Sequence, residues 1–234
     1  MENEWKVIWN NRNSNSVNLS DRIIDSGFDS KYGGISPTIW QDYVDGVAKK
    51  LAVNKNDSIF EIGCGCGAFL MALKKHTARV NGIDYSESLL KHCFELNPSG
   101  FFSVMEANEI GKNNQERKYD VIISNSVFQY FPNLEYTNSV LSGIDKILNT
   151  NGRFALLDIN DEEKKASYHL TRAKEFGSIK KYNEMYKSTP HLFYSKSYFI
   201  NWAKRKNYKI EISDQTIKEY INAKFRYNVF LWKE

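Results

Sequence analysis

Ser58-Ile-Phe-Glu-Ile-Gly-Cys-Gly-Cys-Gly-Ala-Phe-Leu70 decides how this chain is read. A short apolar run (Ile59, Phe60, Ile62) stops at glycines on alternate positions, Gly63, Gly65 and Gly67, and Ala68-Phe-Leu-Met-Ala-Leu73 then opens a helical pattern. The stretch predicts strand, tight loop and helix. Glycines in such a loop permit positive φ and close approach of the backbone to a ligand, and the free N–H groups of the following helix offer donors to it. Glu61, just ahead of the first glycine, places a carboxylate where it can order the loop or reach that ligand.

Working outward, Arg79-Val-Asn-Gly-Ile83 reads as the next strand, with Asp84 at its carboxyl end. In doubly wound sheets an acidic residue at that place takes the hydroxyls of a ribose, so a nucleoside-bearing cofactor is expected. Dinucleotide sites use G-x-G-x-x-G around a pyrophosphate, whereas this loop is Glu-x-Gly-x-Gly-x-Gly. A carboxylate ahead of the loop repels a pyrophosphate and suits a ligand with a cationic centre and an amino group. On these residues the chain resembles the class I S-adenosylmethionine-dependent methyltransferases, whose first motif has the Glu/Asp-x-Gly-x-Gly-x-Gly form. The resemblance is specific over residues 58–86 and extends more weakly from Pro37 to the C-terminus.

The remaining elements fit a single α/β domain, a Rossmann-like doubly wound seven-stranded sheet. Residues 1–35 form an N-terminal cap, 36–159 the cofactor-binding core, 160–194 an insertion after the fifth strand and 195–234 the last helix and strands. Trp5, Ile8, Trp9 and Arg12 recur at helical spacing, as in a packed helix or a lid over the cofactor mouth. Residues 13–35, rich in Asn, Ser and Gly, read as a loop with a turn at Tyr32-Gly-Gly34. Ser36-Pro37 gives an N-cap and a proline at the first helical position, and Ile39 to Leu51 carry an apolar face. Ser86 is a plausible cap for a helix to Leu96; Phe101–Met105 is the third strand and Lys118–Ser124 the buried central one. A helix over 136–148 ends in a turn at Asn149–Gly152. Arg153–Ile159 is the fifth strand, Lys209–Ser213 and Tyr227–Trp232 the sixth and seventh. A seventh strand returning antiparallel is a hallmark of the resembled family and is lacking in ordinary nicotinamide domains.

The resemblance implies S-adenosylmethionine as cofactor, S-adenosylhomocysteine as its product form, and no metal. It assigns Glu61, Gly63, Cys64, Gly65 and Gly67 to the amino-acid end of the cofactor and Asp84, Tyr85 and Ser86 to the ribose. Glu106, Ala107 and Asn108 would contact the adenine, although many family members carry an Asp there; Ser126, Val127 and Phe128 would face the methionine part. Some nitrogen-directed members have Asn/Asp-Pro-Pro-Tyr/Phe where this chain has Asn125-Ser-Val-Phe128, which argues against a nucleobase or glutamine amide as acceptor. An oxygen acceptor loses a proton as the methyl arrives, and histidine is the usual tool. Of His76, His92, His169 and His191, the last stands after the cap with Tyr194 nearby, making these two the candidate catalytic residues. Trp9, Arg12, Gln129, Tyr130, Asp158, His169 and Arg226 are candidate acceptor-site residues, and an inward-pointing Arg226 would favour an anionic substrate.

Composition narrows the partners. The 234 residues are 41% apolar with no run of the ~20 needed to cross a bilayer. The N-terminus shows no secretory pattern, so cytoplasmic residence is expected. The +4 net charge is scattered among acidic residues, giving little support for nucleic-acid binding. Cys64-x-Cys66 matches no ordinary zinc spacing, and the three cysteines read as reduced fillers. The preferred function is methyl transfer to a small molecule, at oxygen, in bacterial natural-product or surface-sugar biosynthesis. Alternatives are a nitrogen or carbon acceptor, tRNA or protein substrates, and a non-catalytic cofactor-binding subunit. A nicotinamide oxidoreductase is disfavoured by the loop spacing. The oligomeric state and the acceptor are left open by the sequence.

Overall fold

A computed structural model of the protein describes residues 4–12, 17–28, 34–112 and 117–234. Seven strands form its central sheet: β1 (Ile59–Ile62), β2 (Val80–Asp84), β3 (Phe102–Val104), β4 (Tyr119–Asn125), β5 (Leu148–Asn160), β6 (Tyr208–Asp214) and β7 (Arg226–Lys233). Their spatial order is 3-2-1-4-5-7-6. Neighbours from β3 to β5 pair parallel, whereas β7 runs antiparallel to both β5 and β6, as the family resemblance implies. The order reverses between β1 and β4, so the loops after these strands open a crevice at the carboxyl edge, where ligands of open α/β sheets bind.

Helices cover both faces of the sheet. In chain order they are α1 (Glu4–Asn10), α2 (Leu19–Asp25), α3 (Pro37–Lys50), α4 (Ala68–Leu73), α5 (Glu87–Leu90), α6 (Leu134–Ile147), α7 (Lys165–Glu175), α8 (Ile179–Met185) and α9 (Lys196–Lys206). Strand side chains alternate between two cores. Ile59, Val121, Ile123, Ala155 and Leu157 pack against Trp40, Val44 and Val47 of α3 and Phe69, Leu70 and Leu73 of α4. Phe60, Ile62, Ile122, Phe154 and Leu156 point the other way, onto Val140, Leu141 and Ile144 of α6 and Phe199, Trp202 and Ala203 of α9. A separate small cluster, Tyr168, Phe193 and Phe225, lies beneath α7. None of the described helices is long and apolar enough to cross a membrane.

Helix starts follow local chemistry. Ser36 accepts a hydrogen bond from the Ile39 N–H at 3.2 Å ahead of Pro37, and Asn133 accepts one from Tyr136 at 2.8 Å. The same chemistry corrects the reading of residues 13–35 as a loop. Asn18 and Asp21 form a capping box for α2, so residues that suggest a loop by composition here start a helix, and Arg22 and Ile23 are buried. The proposed turn at Tyr32-Gly-Gly34 lies partly outside the described residues.

Three further boundaries differ. The helix after β2 is only one turn of α5, followed by a 3₁₀ turn over Lys91–Cys93. Ser86 stands at its N-cap without capping it, because its hydroxyl donates instead to the Trp9 carbonyl at 3.2 Å. The turn expected at Asn149–Gly152 is part of β5, which starts at Leu148 opposite Tyr119 and carries an irregularity that Asn151 accommodates at φ 62°. The insertion after β5 folds as α7 and α8, joined tip to tip through Gly177 and packed through Tyr182.

Candidate active site

The glycine loop builds the floor. After β1 the chain turns through Gly63 at φ +71°, where an added Cβ would stand 2.4 Å from Val127 Cγ2, so only glycine fits. Gly67 caps α4 at φ +81°. The Gly65 N–H donates to Asp84 Oδ2 at 2.8 Å, and Ser86 N–H donates to Asp84 Oδ1 at 2.8 Å. Asp84 therefore holds the loop and the start of α5 in one register. Burial pushes its carboxyl up to about 6, against the pull of those two N–H donors.

Above this floor opens a cleft whose empty space, open mouth included, is about 860 Å³. Glu61, Gly63, Cys64, Gly65, Asp84, Tyr85, Glu106, Ala107, Ser126 and Val127 line it, together with Trp9 and Tyr130. Glu61 is 3% exposed, and its Oε2 has no hydrogen-bond partner. Burial, then the neighbouring Cys93 and Asp84, push its carboxyl well above the usual range. A buried carboxylate without a donor is costly unless something supplies one. A ligand ammonium does so.

At the end of the cleft beyond β3, Glu106 is already engaged. Lys6 from α1 pairs with its Oε1 at 3.1 Å, and the Tyr136 hydroxyl donates to its Oε2 at 3.1 Å. Met105, Ala107 and Phe131 supply the apolar walls there. Asn108 is outside the cleft; its N–H reaches the Tyr136 hydroxyl at 3.4 Å. Phe128, expected at the methionine part, is fully buried among Phe131, Tyr194 and Phe199, because the 3₁₀ turn over Phe128–Tyr130 turns it into the core. Ser86 and Gly67 support the cleft from behind rather than line it.

Beside the cleft wall after β4, two non-glycine residues take left-handed backbone, Ser126 at φ 59° and Asp158 at φ 60°. Such conformations cost of order ~1 kcal/mol each and persist where surrounding contacts enforce them. Here the contacts are mutual. Ser126 Oγ donates to Asp158 Oδ2 at 2.8 Å and accepts from Gln129 Nε2 at 2.8 Å. Tyr220 and Gln215 also donate to the fully buried Asp158 carboxylate, at 3.2 and 3.1 Å.

The expected catalytic pair is corrected by its surroundings. His191 lies under α1, its ring 4.9 Å from Trp5 and within 5.7 Å of Tyr130 and Tyr186. Burial, then Arg226 and Arg172, push it down to about 3, so it is neutral and a poor proton acceptor. Tyr194 is a structural post, its hydroxyl donating to the Phe128 carbonyl at 2.9 Å and bonded to Thr137 at 2.9 Å. Arg12 stacks over Trp9 and donates to the carbonyls of Ile24 and Asp25, fastening α1 to the end of α2. His169 stays in the cap, bonded to Tyr182 at 3.0 Å. Sequence reading missed Phe28, Trp40, Phe69, Leu89 and Tyr136, which look like ordinary core aromatics and aliphatics until the fold brings them to the cleft.

The glycine floor, Asp84 at the end of β2, the unpartnered Glu61 Oε2 and an antiparallel last strand converge with one comparison: the family described as "Methyltransferase domain" matches residues 53–222. The chain belongs to that family. Among curated proteins, it is 28% identical over 177 residues to the malonyl-[acyl-carrier protein] O-methyltransferase of Bacillus cereus, covering 70% of this chain and 62% of that protein. An uncharacterized methyltransferase of Schizosaccharomyces pombe is 26% identical over 113 residues, 46% of this chain and 42% of that one. The matches thus span less than two thirds of these relatives. Magnesium protoporphyrin IX methyltransferase of Synechocystis, solved with bound S-adenosylhomocysteine, shares the fold at TM-score 0.64 and 16% identity, covering 98% of this chain and 99% of that one. So does a putative methyltransferase of Haloferax volcanii, solved with its Trm112 activator, at TM-score 0.66 and 15% identity over 100% and 98%. The fold of this methyltransferase-family chain is thus the Rossmann-like class I fold.

Proposed function

We propose that the protein transfers the methyl group of S-adenosylmethionine to a hydroxyl oxygen of a small molecule in a biosynthetic pathway. The observation that carries the cofactor assignment is the buried, unpartnered Glu61 carboxylate facing the cleft above the glycine loop. Glu61 would take the cofactor's ammonium, Asp84 its ribose hydroxyls, and Met105, Ala107 and Phe131 its adenine. The cofactor brings a methyl group already activated by a sulfonium, so the chain's task is to position donor and acceptor and keep water out.

Ser126 supports an oxygen acceptor. Placed on the cleft wall with its proton already committed to Asp158, its oxygen can receive the acceptor's hydroxyl proton while its own passes to the carboxylate. Trp5, Trp9 and Tyr130 close the acceptor side with aromatic faces, which favours a small enclosed substrate over a polymer. The Bacillus cereus relative is named as an O-methyltransferase, in keeping with that reading.

The test is methyl-labelled cofactor incubated with bacterial extract split into small-molecule, RNA and protein fractions. Label in a small molecule, released by ether-bond cleavage rather than by mild base or amine-directed chemistry, is expected. Label in RNA or protein would overturn the acceptor class. Cofactor binding without label in any fraction would support a binding subunit instead.

A further inference from the structure

Arg226 is a buried cation behind Tyr130 of the cleft wall, compensated chiefly by the Asp158 carboxylate without a direct ion pair to it among the described residues. It begins β7, is 4% exposed, and sits behind the aromatic wall formed by Tyr130, His191 and Tyr168. Its Nε has no partner, its Nη1 makes one long hydrogen bond of 3.5 Å to the Asp158 carbonyl, and its Cζ lies 5.8 Å from the centre of the Tyr168 ring. Among the described residues it forms no ion pair. A buried guanidinium normally has a bidentate acceptor, because desolvating it costs several kcal/mol without one.

Two further polar atoms near Arg226 are unpartnered. Asn160 stands directly opposite Arg226 in the β5–β7 ladder; its amide nitrogen donates to the Leu192 carbonyl at 2.9 Å, and its Oδ1 has no partner. Gln129, whose main-chain carbonyl accepts from Leu192 N–H at 2.9 Å, likewise spends its amide nitrogen on Ser126 and leaves Oε1 unpartnered. The set is therefore one cation, whose chief compensating charge is the Asp158 carboxylate, and two acceptors, with Gln129 and Asp158 both bonded to the Ser126 hydroxyl. Its complement is a ligand with one anionic group and hydroxyl donors.

Resting on the function proposed above, we infer that the acceptor is a hydroxylated anion whose carboxylate or phosphate is held by Arg226 behind the Tyr130–His191–Tyr168 wall. Asn160 Oδ1 and Gln129 Oε1 take hydroxyl donors of the same molecule. Entry requires α1 to lift, since Trp5 stacks on His191 and reaches the Pro190 carbonyl.

The full-length protein loaded with S-adenosylhomocysteine is titrated calorimetrically with three matched probes, 4-hydroxybenzoate, 4-hydroxyphenyl phosphate and neutral 4-hydroxybenzamide. At least one anion is expected to bind about tenfold or more tightly than the amide, a difference of ~1.4 kcal/mol. Arg226→Met should abolish that preference while leaving S-adenosylhomocysteine affinity unchanged; Arg226→Lys, which keeps the charge and loses the fork, should retain part of it. Equal affinity for anion and amide, no binding of any probe, or an anion preference untouched in Arg226→Met overturns the inference. Failure of S-adenosylhomocysteine to bind would instead sink the methyltransferase reading, and the probes can then be titrated into the ligand-free protein to judge Arg226 separately. Retention of the labelled small-molecule product on an anion exchanger at neutral pH is the second readout. A neutral or cationic product contradicts the assignment.

Discussion

The proposed cofactor half of the cleft, from Glu61 to Ala107, is built largely on backbone supplied by consecutive βα units, with three carboxylates, Glu61, Asp84 and Glu106, on its wall. The proposed acceptor side is built from side chains that the chain brings from far apart: Trp9 from α1 and Tyr130 from the turn after β4 on the cleft wall, with Trp5, Tyr168, His191 and Arg226 packed behind them. A backbone site tolerates little change and is written in a short motif. A side-chain site can be re-cut one residue at a time, which is why the proposed acceptor side is the half expected to set specificity.

Substitutions on the two halves should therefore separate cleanly. The largest effect is expected for Gly63→Ala, which forces a Cβ into Val127 at a left-handed position. Strain and overpacking together amount to ~3 kcal/mol, so calorimetry should find S-adenosylhomocysteine binding about a hundredfold weaker. Equal affinity in this variant would show that the floor is not rigid backbone.

Glu61→Gln comes next, with opposite effects on two observables. Removing an unpartnered buried carboxylate should raise the melting temperature of the ligand-free protein, while loss of a charge-assisted bond worth ~2 kcal/mol weakens S-adenosylhomocysteine about thirtyfold. A lower melting temperature with intact binding would place Glu61 in the scaffold instead.

Asp84 gives a pH signature. Its carboxyl is raised from the ordinary 3.8 to about 6, so its contribution to ligand-free stability is fully present below 3.8 and is lost as pH rises through about 6. In the proposed ribose contact Asp84 accepts in its ionised form, so affinity should fall as pH drops below about 6. In Asp84→Asn the affinity should be lower throughout and flat across that window. A wild-type affinity independent of pH between 5 and 7 would remove Asp84 from the ribose, the window being set by ~1 unit on either side of its raised value.

The smallest effect is expected where the halves meet. Lys6 and Glu106 are about one-third exposed, 34% and 32%, so their ion pair is screened. Lys6→Ala should speed S-adenosylhomocysteine release about twofold to threefold in stopped-flow measurements, by loosening α1. A tenfold or larger change would make α1 part of the cofactor half.

The same division explains what could be read from the sequence. Strand, glycine loop and Asp84 were legible because a contiguous motif dictates them, and the terminal strands because their alternation is strong. Phe128 was misplaced because a 3₁₀ turn rotates it out of the direction that simple continuation of β4 implies. His191 was legible as a position but not as chemistry: its neutrality depends on Arg226 and Arg172, distant in sequence and adjacent only in the fold. α2 was hidden because Asn18 and Asp21 serve both loops and helix caps, and only burial of Arg22 and Ile23 decides between them.

Arg22 has a consequence for how the chain matures. Its guanidinium donates to the carbonyls of Cys66 in the glycine loop and His92 within the 3₁₀ turn after α5, and pairs with Glu95 at 3.3 Å. It thus ties together segments 44 and more residues apart in the chain. During synthesis Arg22 leaves the ribosome several seconds before its partners, at the usual ~5–20 residues per second. The early segment must wait unpaired, and the nucleotide pocket sets only after both have emerged. A chain trimmed to begin at Ser36 would keep every strand of the sheet yet lack this clasp, and would fold into a protein whose pocket never tightens.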